Sequence, residues 1–417
     1  MVNGTPLSLH NSFMEATGPL IVTDVNAVIN DAQRFKTYSF GALMGGDRGM
    51  KKMVGGGTEM RFETFFETGS RTRFHQPGAQ QEWAQPQKLL HGRSHMRYLI
   101  TDMAWTLQAV MQNEKLRYGS ESQRFQEYAN LKRHYEQVMW TDKWDFMENH
   151  MWSEPDFNEM ESAAGGEFGK WYSIAAFINE YTNGLYNTGG GAGTAWTTIH
   201  GLDPSSTVQG QNRFQQATSV YSNEVISNGQ LPATTTILGA FEKMWKKVHF
   251  ERPPTMQEYF SDPSYNNQQI FCSPEGQTAY TMICRAFQDM YVIETRQDPA
   301  YPMPAFNFIP VKYVDALTSA TLYPNNTTVA SATDNIAEGT QATGNRQGPR
   351  YYWINSNYLY PCFHEDMFFA RQKIREAFND PDTFVMPVRT WGNFKCVSRM
   401  RQGLIRPSGN LYSGLYS

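Results

Sequence analysis

Two histidines four residues apart, His91 and His95, bracket Gly92-Arg93-Ser94. On a helix that spacing sets both rings on one face, where they can share a metal ion. Here the segment reads as a loop entering a strand, with no acid between the two rings, so no metal site is expected. His364-Glu365-Asp366 gathers a histidine and two carboxylates. The segment opens a predicted helix, where acids serve the N-terminal dipole, and capping is the expected role. Asn187-Thr188-Gly189-Gly190-Gly191-Ala192-Gly193 is glycine-rich, but no Gly-Lys-Ser/Thr follows and no clear strand precedes it. A flexible loop is expected there rather than a phosphate cradle. The chain has no nucleophile elbow, H-E-x-x-H helix or dinucleotide fingerprint. Carboxylates abound and aromatics reach 14%, a composition that a sugar-binding cleft shares. A carbohydrate-active enzyme or binding module therefore stays open as a second class, although nothing selects a carboxylate pair. The expectation is a protein without catalytic residues, cofactor or metal.

The distribution of charge says more than any motif. Residues 61–100 carry six basic side chains (Arg61, Arg71, Arg73, Lys88, Arg93, Arg97) against three acidic ones (Glu63, Glu67, Glu82). Residues 140–170 reverse the balance, with eight acids (Asp142, Asp145, Glu148, Glu154, Asp156, Glu159, Glu161, Glu167) against Lys143 and Lys170. A basic segment and an acidic one in the same chain invite head-to-tail pairing between copies, which closes into rings or extends into lattices. The residues expected at such an inter-subunit contact are Arg61, Arg71, Arg73, Arg93 and Arg97 on one side. On the other are Asp142, Asp145, Glu148, Glu154 and Asp156. The competing reading is a pair of solvated faces, because isolated surface pairs contribute little.

Composition bounds the rest. The 417 residues, 40% of them hydrophobic, suffice for two domains or one elongated one. Tyr, Trp, Met and Arg, the types enriched at interfaces, are plentiful. The net charge of −4 includes no basic stripe, which argues against gripping nucleic acid through its phosphates. Cys272, Cys284, Cys362 and Cys396 form no C-x-x-C pair and read as buried thiols. No apolar h-region follows Met1 and no run of 18 apolar residues occurs, so neither a signal peptide nor a membrane span is expected.

The elements that must position these charges follow from periodicity. Residues 1–55 read as a loose arm with one short helix near residues 25–35. Met60, Phe62, Thr64, Phe66 and Thr68 alternate with Arg61, Glu63, Phe65 and Glu67; Met96, Tyr98 and Ile100 alternate in the same way. The two runs predict a long two-stranded ribbon over 56–108, its last strand continuing through Met103 and Trp105. A lone ribbon is marginal in water, so it is expected to lie on another copy. Ser120-Glu121-Ser122-Gln123 is a capping box, and Phe125, Tyr128, Leu131, Tyr135, Val138 and Met139 then mark one helical face as far as Glu154-Pro155. Beyond it the pattern predicts a turn at Gly201-Leu202-Asp203 and a helix from Ile237 to Val248. A buried strand at 269–272 then steps into a helix at Ser273-Pro274-Glu275. A strand at 304–314, a polar loop at 318–348, a strand at 350–355 and a helix from His364 to Phe378 follow. The last predicted element is a strand pair over 382–406 that turns at Gly392-Asn393.

This order of arm, ribbon, strut helix, α/β domain and closing strands resembles a tailed-phage major capsid protein of the Hong Kong 97-like fold, an α+β class. Ile270-Phe271-Cys272-Ser273-Pro274-Glu275-Gly276, Tyr351-Tyr352-Trp353-Ile354-Asn355 with Tyr358-Leu359-Tyr360-Pro361, and Gly201-Leu202-Asp203 carry the local likeness. The resemblance implies an N-terminal arm (1–55), an extended loop lying over the neighbouring subunit (56–108) and a peripheral domain with the spine helix (109–169). It further implies an axial domain (170–375) and a return to the peripheral domain with a C-terminal tail (376–417). It implies a structural protein of the virion, assembled in the host cytoplasm from pentamers and hexamers of itself. Such a shell encloses double-stranded DNA without reading its sequence. A portal, a separate scaffolding protein and a decoration protein are the further partners implied. Some members link subunits through a lysine–asparagine isopeptide bond; Lys88 lies in the ribbon, but no asparagine or acid is singled out, and no crosslink is expected. Within the same fold, an encapsulin-like nanocompartment shell is the alternative.

Overall fold

A single long helix does stand where the sequence predicts one. It runs from Glu121 to Met151, and its 31 residues span about 46 Å at 1.5 Å each. The computed structural model describes residues 39–45, 48–64, 90–106, 121–153, 160–161, 169–179, 196–221, 236–249, 267–286, 292–293, 303–317, 349–378 and 380–407. The predicted helix near 25–35, the glycine-rich loop at 187–193 and the loop at 318–348 lie outside them.

In chain order the helices are α1 (Ser39–Gly45), α2 (Glu121–Met151), α3 (Ile174–Phe177), α4 (Ile237–Val248) and α5 (Pro274–Ala286). The strands are β1 (Lys52–Val54), β2 (Glu59–Thr64), β3 (Leu90–His95), β4 (Arg97–Thr106), β5 (Ala217–Tyr221), β6 (Gln268–Cys272), β7 (Val292–Ile293) and β8 (Met303–Phe306). They continue with β9 (Ile309–Tyr313), β10 (Tyr351–Asn355), β11 (Leu359–His364), β12 (Ala370–Arg371), β13 (Arg375–Ala377), β14 (Asp380–Cys396) and β15 (Gly403–Pro407). This is a mixed α+β chain. Its contacts divide it into two units, one including residues 98–147 and 366–391, the other residues 36–97, 148–365 and 392–417.

In the first unit α2 lies against strands. Met103 and Trp105 of β4 and Phe384, Met386 and Val388 of β14 alternate inward and meet Met139, with Tyr135, Trp140, Phe369 and Ile374 around them. Lys143 stands in this apolar stripe, 2% exposed. Its ammonium donates to Thr390 Oγ1 at 2.8 Å and faces the Phe369 ring at 4.8 Å. Burial lowers its pKa to about 8. The unfolded chain then holds more protons between pH 8 and the ordinary lysine value near 10.5, so stability rises with pH across that window. Wild-type urea midpoints should climb there, by an amount on the order of 1–3 kcal/mol, while those of a Lys143→Met variant should not. Parallel curves for the two proteins would contradict this.

The second unit is built on a sheet ordered β5-β15-β10-β6-β9-β8-β7. β6 and β10 are buried along their whole length, so both read as continuous apolar runs. Ile237, Ala240, Phe241, Met244 and Val248 of α4 cover the sheet together with Tyr280, Ile283 and Cys284 of α5. Phe241 centres the aromatic packing, 4.9 Å from Tyr351 and 5.1 Å from Tyr280. Thr236 Oγ1 accepts from the Gly239 amide at the start of α4, and Ser273 Oγ, the cap read from the sequence, accepts from the Gly276 amide at the start of α5.

Four expectations change. The ribbon partner of β2 is Leu90–His95, not the Met96–Thr101 run; that run lies in β4, which pairs with β14 and does continue through Trp105. The predicted helix at 364–378 is instead a 3₁₀ turn at Glu365–Met367 followed by β12 and β13, which pair with β14. Phe369, just before β12, and Ile374, just before β13, pack at the edge of the core, and β12 and β13 satisfy backbone groups along one edge of β14. Gly392-Asn393 does not turn. β14 is a strand of 17 residues that includes both of them. A Cβ at Gly392 would stand 2.5 Å from the Cys362 carbonyl oxygen and 2.7 Å from the Phe363 ring, so close strand approach is what calls for glycine there. β15 then leaves β14 and pairs with β10 and β5. Residues 304–314 are a hairpin, β8–β9, turning at Asn307-Phe308.

Candidate assembly surface

β2 and β3 form a two-stranded ribbon with two unlike faces. Inward, Met60, Phe62 and Ser94 are buried, and the Phe62 ring fills the space above Gly92 across the pair. The same ring meets the Lys395 ammonium at 5.1 Å and His200 edge-on at 5.5 Å. Ser94 Oγ donates to the Phe394 carbonyl at 3.3 Å, and Lys395 Nζ to the Arg61 carbonyl at 3.2 Å. The described base of the ribbon therefore rests on its own protomer, whereas the sequence had the whole ribbon lying on a neighbour. Residues 65–89 lie outside the described part.

What the base rests on is built around a tight turn. Ile199 and Leu202 exchange both backbone hydrogen bonds, and His200 and Gly201 between them have φ of 56° and 74°. The turn at Gly201-Leu202 thus forms as read. Glu161 gathers its amides, accepting from His200 N at 3.0 Å, Gly201 N at 2.6 Å, Thr198 Oγ1 and the Tyr172 hydroxyl. Burial raises the Glu161 pKa against the pull of these donors. His200 is fully buried, and burial first, then the Lys395 and Arg399 charges, drive its pKa to about 3. It is a neutral ring whose Nε2 accepts from the Cys396 amide at 3.1 Å.

Outward, the ribbon is charged. Cross-strand partners are Glu59 with His95, Arg61 with Arg93, and Glu63 with His91. The two acid–histidine pairs close to 3.4 Å and 3.8 Å. Between them two arginines stand directly opposite each other, an arrangement that like charges disfavour. Arg61 keeps a 3.5 Å contact to Glu59 with its side chain 77% exposed. Arg93 is exposed, its stem against Gly201. The doubled positive charge is open to an incoming carboxylate. His91 and His95, i and i+4 on an extended strand, are about 13 Å apart, each beside its own glutamate.

The structure sorts the other expected contact residues. Arg97 and Glu148 are buried within the protomer, 1% and 3% exposed, so neither is available to another copy. Arg97 donates to the Met160 carbonyl at 3.5 Å. Glu148 accepts from the Ser39 and Phe40 amides. Charge counts along a sequence are blind to burial, and Glu161, the acid that braces the ribbon, was missed for the same reason. Asp142 is exposed and Asp145 half-buried on α2. Arg71, Arg73, Lys88, Glu154 and Asp156 fall outside the described residues. Among the described residues, no group of three or more His, Cys, Asp or Glu is arranged to hold a metal ion. No described helix is long and apolar enough to cross a membrane.

No family model matches the chain, and no curated protein matches it by sequence. Solved structures do. The capsid asymmetric unit of cyanophage A-1(L) aligns with 94% of this chain and 98% of its own at 10% identity, with a TM-score of 0.53. The capsid structure of cyanophage P-SCSP1u covers 94% of each chain at 10% identity and a TM-score of 0.43. The capsid of an empty GTA particle covers 91% of this chain and all of its own at 8% identity and 0.43. The first likeness, spanning both chains almost end to end, shows that this chain has a tailed-phage capsid fold.

Proposed function

We propose that the protein is a major capsid protein, a structural subunit that polymerises through heterologous contacts into a closed icosahedral shell around double-stranded DNA. The observation that carries this reading is the capsid fold running through 94% of the chain. Two features of the molecule support it. The exposed Arg61–Arg93 pair is unfavourable in an isolated protomer and is relieved when a neighbour brings a carboxylate to it. The buried Glu148 and the half-buried Glu161 spend their oxygens on donors of their own protomer, as structural carboxylates do. Balanced overall charge suits a wall that faces DNA and lets it go.

The neighbour's contribution is the exposed acidic side of α2, with Asp142 as its described member and Asp145 beside it. Arg71, Arg73, Glu154 and Asp156 belong to the same proposed contact. Purified protein should sediment as megadalton particles holding nuclease-resistant DNA when made in infected cells. Sedimentation as a monomer or dimer would overturn the reading, and particles devoid of nucleic acid would turn it towards a nanocompartment. Changing Arg61 and Arg93 together to Glu should raise the critical concentration for assembly about tenfold, as the loss of two exposed pairs allows. Asp142→Arg in that background should recover part of it. If the triple variant assembles no better than the double, Asp142 is not the partner.

A further inference from the structure

The β8–β9 hairpin turns on two residues, Asn307 and Phe308, whose φ angles are 45° and 65°. Positive φ at both positions is the pattern of a tight hairpin turn that favours Asn first and Gly second. Asn307 obeys the rule. Phe308 breaks it, because a bulky side chain in the left-handed region clashes with its own backbone. Among the described residues the ring has no aromatic partner in exchange, and Phe308 is 75% exposed. One residue thus carries backbone strain and an unburied aromatic ring together. Local rules broken at the surface without a compensating internal contact mark a place where the compensation comes from outside.

The surroundings of the ring say what kind of partner supplies it. Residues 303–311, Met-Pro-Ala-Phe-Asn-Phe-Ile-Pro-Val, contain no charged side chain. A tip without cations has nothing to hold a phosphate backbone, which excludes nucleic acid. β8 and β9 lie towards one end of their sheet as described, where the two-residue β7 is the one described strand beyond them. Pro304 and Pro310 in the hairpin strands have no amide to offer an added strand, so what this hairpin presents is the ring at its tip and not an open strand edge. The same unit exposes an apolar acceptor, Met282, 62% exposed on α5, a flexible thioether suited to an aromatic edge. In a heterologous contact the knob of one copy meets a different patch on the next, so a single chain that carries both needs no further protein.

We infer that Phe308 is an assembly anchor, held out on a strained turn so that its ring is buried against an apolar surface of a second copy of this chain. This rests on the shell reading above but does not follow from it, since the proposed charge contact involves other elements.

The test measures two quantities that move in opposite directions. In Phe308→Gly the turn receives its preferred residue, so the unassembled protomer should melt a few degrees higher than wild type. The same variant loses the buried ring, so its critical concentration for assembly should rise about tenfold or more. Phe308→Asn, which also tolerates the left-handed region, should behave in the same way. Phe308→Tyr, which keeps the ring, should assemble near the wild-type concentration. If the wild type forms shells and Phe308→Gly and Phe308→Asn form them equally well, the anchor is wrong and the shell reading stands. If the wild type forms no shell, the shell reading fails and this inference goes with it.

Discussion

Glu148→Ala should destabilise the second unit by about 3 kcal/mol or more and strip hydrogen-exchange protection from the Ser39 and Phe40 amides. Glu148 sits in the last turn of α2, which is a poor place for an acid as far as that helix is concerned. What holds it there is α1. Oε1 accepts from the Ser39 amide at 3.0 Å, from the Ser39 hydroxyl and from Trp152 Nε1 at 3.2 Å, while Oε2 accepts from the Phe40 amide at 2.8 Å. The carboxylate thus takes the place of a cap at the start of α1 and satisfies amides that have no intrahelical acceptor. Trp152 keeps Ser39 Oγ at 2.8 Å after truncation, but the two backbone amides are left buried and unpaired, at about 1–3 kcal/mol each.

Burial raises the Glu148 pKa, and its four donors pull the other way. A raised carboxyl pKa means that this group favours the folded state most below the ordinary value near 4.5, and that the advantage fades as pH climbs through the folded value. Glu148→Gln is neutral at every pH and keeps one acceptor oxygen, so it should lie between wild type and Ala and lose this part of the pH dependence. Unfolding of Glu148→Ala at the wild-type midpoint, with the Ser39 and Phe40 amides still protected, would remove Glu148 from this role.

The same residue shows where reading the sequence stops. Periodicity and capping chemistry located α2, α4, the β6–α5 step and β10, because each follows from neighbours in the chain. Glu148 was counted among surface acids because nothing in Asn149, His150 or the preceding turn reports that Ser39, 109 residues earlier, closes over it. Gly392 looked like a turn because the Cys362–Phe363 backbone that requires it belongs to another strand. The hairpin at Asn307 was hidden for a different reason: Phe308 stands where Gly would have announced it. Residues 364–378 carry aromatics at spacings that suit a helix, but pairing with β14 decides their form, and pairing is a long-range property. The ribbon shows the same split. Its alternation was plain, whereas its partner strand depended on which half of the 90–106 stretch β14 had already taken.

Arg399→Met should cost about 3–5 kcal/mol, and Arg399→Lys nearly as much. Arg399 is fully buried in the 3₁₀ turn between β14 and β15. Its Nε donates to the Phe177 carbonyl at 2.8 Å, Nη1 to the Phe214 carbonyl at 3.2 Å and Nη2 to Gln216 Oε1 at 2.6 Å. The guanidinium lies 5.6 Å from the centre of the Phe214 ring. Three segments far apart in sequence, the end of α3, the approach to β5 and the turn into β15, therefore share one planar group. Burial lowers its pKa to about 10, so it is still charged at neutral pH despite the cost of burying it. A lysine brings the same charge, but its single ammonium cannot reach three acceptors spread around a plane, and its strong hydration makes burial harder. Methionine fills the space and leaves two carbonyls and an amide oxygen unpaired. The comparison separates charge from shape: Lys matching wild type in urea denaturation would mean that charge alone holds the turn, whereas Lys falling close to Met would mean that the fork does.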